Sequence, residues 1–292
     1  MFKRIWMVLT VFFALTAYTQ AQEKIHVAVT IAPLAEFVEQ IGGDRVSVTV
    51  MVPPGGSPHT YEPKPGQLKA LGRSKLYVKV GSGIEFELAW LSKILAVNRN
   101  LIVCDSSRGI RLIGMAKDHH DEKGAGHRHH PGNDPHIWTS LGNAVVMAGN
   151  IRDGLIQVDQ ANETQYRKNA DAYILKLRAL RDRIAEQLKN TRNRKFMVLH
   201  AAFGYFADEF HLTQIPMEVG GKEPSARNIA RLIKKAKAEN ISVIFAEPQF
   251  NTKSAQVIAS AIQGEMVLID PLSGHYLQNM EKMAFALIGK LK

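Results

Sequence analysis

Residues 162–190, NETQYRKNADAYILKLRALRDRIAEQLKN, lie between two segments in which short apolar runs alternate with helical patterns. Apolar side chains recur along this stretch at approximately helical spacing, at Tyr173, Leu175, Leu177, Leu180, Ile184 and Leu188. At about 1.5 Å per residue the helix would be roughly 40 Å long, which is more than one small lobe requires. The stretch therefore predicts a rigid helix that joins two lobes.

The segments on either side of this helix predict two α/β lobes. Before it, β-branched runs favour strands, at 24–30 (KIHVAVT), 46–52 (VSVTVMV), 75–81 (KLYVKVG) and 100–107 (NLIVCDSS). After it, further strands are expected at 195–200 (KFMVLH), 241–248 (ISVIFAEP) and 265–271 (EMVLIDP). Helical patterns separate most of these runs, which is typical of mostly parallel sheets flanked by helices. We expect an N-terminal lobe over 22–160, a connecting helix over 161–192 and a C-terminal lobe over 193–292.

The first 21 residues read as a cleaved signal peptide. Lys3 and Arg4 precede an apolar core, which ends at the small-x-small exit of residues 19–21. Without them the formal charge falls from +10 to +8. The remaining cations are spread along helices as solvated surface, so no nucleic acid is expected as a partner. No second run is long enough to span a bilayer, and we expect a soluble, monomeric periplasmic protein.

Four residues stand out because they occupy the places where α/β sheets bind ligands. His59 follows the second strand, His200 and Asp270 each end a strand, and His136 lies at a turn before a helix. Ligands bind outside the carboxyl ends of such strands, so two facing lobes would bring these groups into one cleft. Three imidazoles and a carboxylate suit tetrahedral zinc. Taken singly, each histidine is equally compatible with a hydrogen-bonded core residue, and Asp270 with a turn former.

A second group of histidines has a different setting. The loop at 116–133 is polar, contains glycine and lacks periodicity, and it carries five imidazoles, at His119, His120, His127, His129 and His130. Ordering such a loop costs backbone entropy that weakens binding. We expect it to capture or buffer zinc weakly near the cleft mouth, unless it is only a solvated spacer. His136, by contrast, lies beside Pro135 and Trp138.

Four segments together resemble a known family. They are GGSPHTYEPKPGQLKAL (55–71), DPHIWTSLGNA (134–144), LHAAFGYFADEF (199–210) and FAEPQFNTKSA (245–255). The order and the residues of these segments are similar to those of ZnuA-type zinc and manganese solute-binding proteins of bacterial ABC importers. The resemblance covers nearly the whole mature chain. It implies two α/β lobes joined by one long helix, metal in the cleft between them, and a permease and an ATPase as partners.

The resemblance also assigns individual residues. It places His59, His136 and His200 on histidine ligand positions and Asp270 on the carboxylate position of one tight zinc site. Manganese members usually carry Glu where this chain has His200, and a third imidazole favours zinc. Glu247 is a family feature that we interpret as a residue behind the ligands or in the cleft wall. Zinc members often carry a histidine-rich loop, which would supply additional weak zinc binding.

Other functions remain open. A manganese binder, a binder of another divalent metal, or a surface adhesin of the same family would share most of these features. A secreted zinc hydrolase is the weakest alternative, because it needs an open coordination position and a general base such as Glu247 or Asp270. No HExxH helix is present. We therefore expect a transport protein and no enzyme.

Overall fold

The computed structural model describes residues 23–115, 132–218 and 222–291. The predicted signal peptide and the five histidines from His119 to His130 lie outside these residues.

The first lobe contains a four-stranded parallel sheet with the order β2-β1-β3-β4. Its elements are β1 (Ile25–Ile31), α1 (Ala32–Gly42), β2 (Val46–Val52), α2 (Pro65–Leu71), β3 (Leu76–Lys79), α3 (Glu85–Val97) and β4 (Ile102–Asp105). This agrees with the predicted N-terminal lobe.

Two helices follow the first sheet. They are α4 (Leu141–Val158) and α5 (Glu163–Leu188). Ser140 caps α4, because its side-chain oxygen accepts a hydrogen bond from the Asn143 backbone N–H. Helix α5 has 26 residues and buries one apolar stripe against α1 and α4. The predicted connecting helix is thus present, with 3₁₀ residues 160–162 before it.

The second lobe repeats the strand order of the first. Its sheet is also parallel, with the order β6-β5-β7-β8. The elements are β5 (Lys195–Val198), α6 (Gly204–Glu209), β6 (Thr213–Pro216), α7 (Ala226–Ala238), β7 (Val243–Ala246), α8 (Lys253–Ala261), β8 (Glu265–Leu268) and α9 (Tyr276–Ile288). Strand β6 was not predicted, because TQIP is short and ends in proline.

Alternating side chains of the second sheet enter two different cores. In β5, Phe196 and Val198 pack into the core shared with the first lobe, whereas Met197 faces the core under α7 and α8. Strand β7 divides in the same way, with Phe245 on one side and Ile244 on the other. This follows from the two-residue period of a strand whose faces are both covered.

The two lobes are joined by more than the connecting helix. Helix α9 ends the second lobe but packs against α5 and reaches α1, where the rings of Tyr276 and Phe37 lie 4.9 Å apart. Helix α6 of the second lobe contributes Glu209, whose carboxylate accepts the backbone N–H groups of Leu141 and Gly142 at the start of α4. A negatively charged group at a helix N-terminus also stabilises the helix, because it interacts favourably with the positive end of the helix dipole. The lobe boundaries at 160 and 192 therefore remain predictions, since one core runs across them.

No helix among the described residues combines the length and the apolar character needed to cross a membrane.

We predict that Phe37→Ala destabilises the protein by about 3–5 kcal/mol, because it opens a cavity where α1, α5 and α9 meet. Phe37 is fully buried and contacts the rings of Tyr173 and Tyr276. Urea unfolding of metal-free protein measures the change. Leu88→Ala is the control, because Leu88 is 75% exposed on α3 and its loss should cost less than about 0.5 kcal/mol. Equal effects of the two substitutions would contradict this assignment of the core.

Candidate metal centre

Three of the four predicted ligands meet between the lobes. His59, His136 and His200 each offer a ring nitrogen, and these atoms all lie within 4.8 Å of one another. The Nε2 atoms of His136 and His200 are 3.2 Å apart. Within the residues that the structure describes, this is the one group of histidines, cysteines and carboxylates close enough to hold a metal ion.

His59 is positioned by a loop that Gln67 anchors. The loop leaves β2 through a tight turn in which the Gly56 N–H donates to the Pro53 carbonyl at 2.9 Å. Gly55 has φ +82°, a value that glycine adopts without strain at the third position of such a turn. Gln67 donates from Nε2 to the carbonyls of Val50 and Met51 and accepts from the backbone of Lys64, so both ends of the loop are tied to β2.

His136 is held by a segment that touches both lobes. Tyr205 of α6 donates to the carbonyl of Asp134 at 2.9 Å, and Ser82 of the first lobe donates to the carbonyl of Pro135. Gly204 is required for this approach, because a Cβ atom there would lie 2.3 Å from Asp134 Oδ2. His136 is therefore buried and fixed from two sides.

Trp138 ties the same segment to the end of the second sheet. Its indole N–H donates to the carbonyl of Pro271 at 2.8 Å, and its own carbonyl accepts the hydroxyl of Tyr276 at 2.7 Å. The indole ring also packs edge-on to His136, with centroids 5.3 Å apart. His136 is thus linked to residues that follow β8 and begin α9.

His200 lies two residues beyond β5, at the carboxyl end of the second sheet. The ring of Phe250 covers it, with centroids 5.0 Å apart. Behind it, Glu247 is fully buried and its Oε2 accepts the backbone N–H of His200 at 3.3 Å. His200 follows β5 and Glu247 follows β7, so they flank the point where the strand order of the sheet reverses.

Each of the three imidazoles has its own carboxylate partner on Nδ1. Glu85 accepts from His59 at 2.8 Å, Asp134 from His136 at 2.7 Å and Glu218 from His200 at 2.6 Å. An ionised carboxylate only accepts hydrogen bonds, so it keeps the proton on Nδ1 and leaves the Nε2 lone pair free to bind a metal. Such pairs orient metal-binding histidines and raise their basicity.

Sequence reasoning missed these three carboxylates. Asp134 was within reach, because it precedes His136 by two residues. Glu218 follows the unpredicted strand β6, beside the strand that carries His200. Glu85 begins α3, far from His59 in sequence. Only the fold shows that these last two residues are neighbours of the histidines.

Two of the carboxylates have pKa values that are lowered by their histidine partners. Burial alone would raise the pKa of Glu218, but the hydrogen bond and the electrostatic interaction with His200 outweigh burial, so the pKa is lowered. Glu85 behaves in the same way through His59. Burial lowers the pKa of His136, although Asp134 opposes this shift. The His136 imidazole is therefore neutral at neutral pH.

Glu247 differs from these carboxylates. Burial raises its pKa to about 8, and its Oε1 has no hydrogen-bond partner among the residues that the structure describes. A carboxyl group that keeps its proton at neutral pH adds little negative charge to the centre. The structure therefore places Glu247 against the backbone of His200, and its assignment to the space behind the ligands or to the cleft wall stays a prediction.

Asp270 is not part of the three-histidine group. It lies two residues beyond β8, and its Oδ1 accepts hydrogen bonds from Gln249 Nε2 at 2.6 Å and from the Leu272 backbone at 2.9 Å. Gln249 and Leu272 line the same pocket as the three histidines. Asp270 thus stands behind the pocket wall, and its role as the fourth ligand stays a prediction.

Comparison with known proteins identifies relatives along nearly the whole chain. The profile of the family described as "Zinc-uptake complex component A periplasmic" matches residues 27–288. "High-affinity zinc uptake system protein ZnuA" of Bacillus subtilis is 31% identical over 263 residues, covering 89% of this chain and 82% of that protein. "Zinc-binding protein AdcA" of Streptococcus pyogenes serotype M3 is 30% identical over 283 residues, covering 91% of this chain. This chain spans only 55% of the length of AdcA.

Solved structures agree with the sequence matches. A crystal structure described as that of ZnuA superposes with a TM-score of 0.84 at 38% sequence identity. The match covers 92% of this chain and all of the other. The similarity therefore extends over both lobes and the helix between them.

We predict that Glu218→Gln weakens zinc binding about 10- to 100-fold while the protein stays folded. The amide is a weaker acceptor for His200 Nδ1 than the carboxylate, so the ring becomes less basic and less well oriented. Titration against a chromogenic zinc chelator measures the change. Glu223→Gln removes an exposed carboxylate five residues further on and should leave the affinity unchanged. An equal loss in both variants would indicate a general charge effect instead.

Proposed function

The chain belongs to the family of periplasmic A components of zinc-uptake complexes, and we propose that it captures zinc outside the cytoplasm and delivers it to a membrane permease. An ATPase would drive the import. The proposal also assigns a cleaved signal peptide to residues 1–21 and a monomeric mature form.

The observation that carries this proposal is the spacing of the imidazole nitrogens. Two zinc-bound nitrogens at about 2.0–2.1 Å from the metal lie about 3.3 Å apart in a tetrahedron. The Nε2 atoms of His136 and His200 are 3.2 Å apart, with Nδ1 of each ring held by a carboxylate. Both Nε2 atoms are thus placed so that one cation could bind them together, which supports a centre shaped for zinc.

The proposed ligands are His59, His136 and His200, with Asp270 as the fourth. A closed set of four leaves no position at which zinc could activate water, so we propose binding without catalysis. Three nitrogen donors favour zinc over manganese, which prefers oxygen. Release then requires that the permease bind the open form more tightly than the closed one.

We also propose a second, weaker kind of zinc site in the histidine-rich segment. The chain on either side of residues 116–131 is paired, because Met115 N donates to the Gly132 carbonyl at 3.2 Å and Asp134 N to the Ile113 carbonyl at 2.9 Å. The segment therefore leaves and rejoins the described chain beside Asp134, which holds His136. This position would supply zinc near the tight site.

His200→Glu tests the choice of metal. It replaces one imidazole with a carboxylate, so zinc loses a preferred nitrogen donor while manganese gains an oxygen donor. We expect zinc binding to weaken about 10- to 100-fold or more and manganese binding to weaken less or to improve. Isothermal titration of the metal-free variant with each metal measures both effects.

The control for this test is His211→Asn. His211 is exposed, and its φ of 53° makes asparagine a better replacement than alanine, because asparagine tolerates the left-handed region. Zinc binding of this variant should match that of the parent. If His200→Glu also binds zinc as the parent does, then His200 is not a ligand and the zinc proposal fails.

A second test separates the two kinds of site. Replacing residues 116–131 with a short Gly-Ser linker should leave one tight zinc site with unchanged affinity and remove only weaker binding, because the three proposed histidine ligands lie outside this segment. Equilibrium dialysis over a range of zinc concentrations measures both. Loss of the tight site in the replaced protein would refute the two-site proposal.

A further inference from the structure

The contacts of Asp270 are all made on one side of its carboxylate. Oδ1 accepts both the Gln249 amide and the Leu272 backbone N–H. Among the described residues no hydrogen bond reaches Oδ2. The main chain is fixed as well, because Asn279 of α9 donates to the Asp270 carbonyl at 2.7 Å. The carboxylate is therefore oriented by its neighbours before any metal binds.

Gln249 connects this carboxylate to the pocket of the three histidines. Its side chain lines the pocket, and its Nε2 lies 2.6 Å from Asp270 Oδ1. Its own Oε1 is buried and finds no hydrogen-bond partner in the described part of the chain. A buried amide that satisfies only one of its ends is costly, so the bond to Asp270 is the interaction that holds this side chain in place.

We propose that Gln249 is a specificity-determining residue, which restrains Asp270 so that the centre favours metals that bind mainly through nitrogen. This inference rests on the proposed zinc-binding function. The amide withdraws charge from the carboxylate, and the hydrogen bond limits how closely the carboxylate can approach the three histidines. A metal that requires a strong oxygen donor must overcome this hydrogen bond to bind the carboxylate. A metal that binds mainly through three imidazoles depends less on the carboxylate.

The restraint penalises manganese more than zinc. Manganese prefers oxygen ligands, so it gains most from a carboxylate that is free to approach. A hydrogen bond to a charged group is strong enough to change an equilibrium constant about tenfold. Removing the bond should therefore narrow the difference in affinity between the two metals by about that factor.

Gln249→Leu tests the inference, because leucine keeps most of the volume of the side chain and removes the amide. We expect manganese binding by the full mature protein to tighten about tenfold and zinc binding to change less than about threefold. Both affinities are measured by competition with a chelator. Gln256→Leu, on the exposed face of α8, is the matched control and should change neither affinity.

A double-substitution cycle shows whether the effect acts through Asp270. In an Asp270→Asn background, Gln249→Leu should no longer change the ratio of the two affinities. Two results would overturn the role of Gln249 while leaving zinc capture intact. Either Gln249→Leu leaves the ratio of the manganese and zinc affinities unchanged, or it shifts this ratio equally in both backgrounds. If the parent binds no zinc, or if His200→Glu binds it as tightly as the parent, the proposed function fails and this inference fails with it.

Discussion

The close approach of two imidazoles from different parts of the chain explains how the centre is built. The Nε2 atoms of His136 and His200 face each other across 3.2 Å, a separation that suits two nitrogen ligands of one cation. Carboxylates on the far side of each ring prevent the rings from turning away, and Trp138 and Phe250 pack against them. The fold therefore holds both rings in position for one cation, so cation binding and stability are coupled.

Two features of the architecture create this contact. Both sheets have the same strand order, so each lobe presents a crevice at the carboxyl ends of its strands. The lobes are then held together by α5, by α9 and by Glu209 at the start of α4. His136 lies in a segment bonded to both lobes, and it can therefore meet His200 with little rearrangement.

Local pattern was sufficient for most of the fold. Alternating apolar runs and helical spacing identified seven of the eight strands and the long helix, because each depends on neighbours in sequence. His59 and His200 were within reach because both follow strands, where α/β sheets bind ligands, and His136 was within reach through the family resemblance of its segment. Glu85 and Glu218 were not, since their partners are distant in sequence. The position of Asp270 outside the group of three histidines depends on Gln249, and the sequence did not predict it either.

The return of α9 to the first lobe has a consequence for how the chain folds. Tyr276 and its neighbours complete a core whose other walls, α1 and α5, are synthesised much earlier. Contacts between residues so far apart in sequence form late and slowly. The core of the first lobe therefore stays incompletely packed until α9 is available.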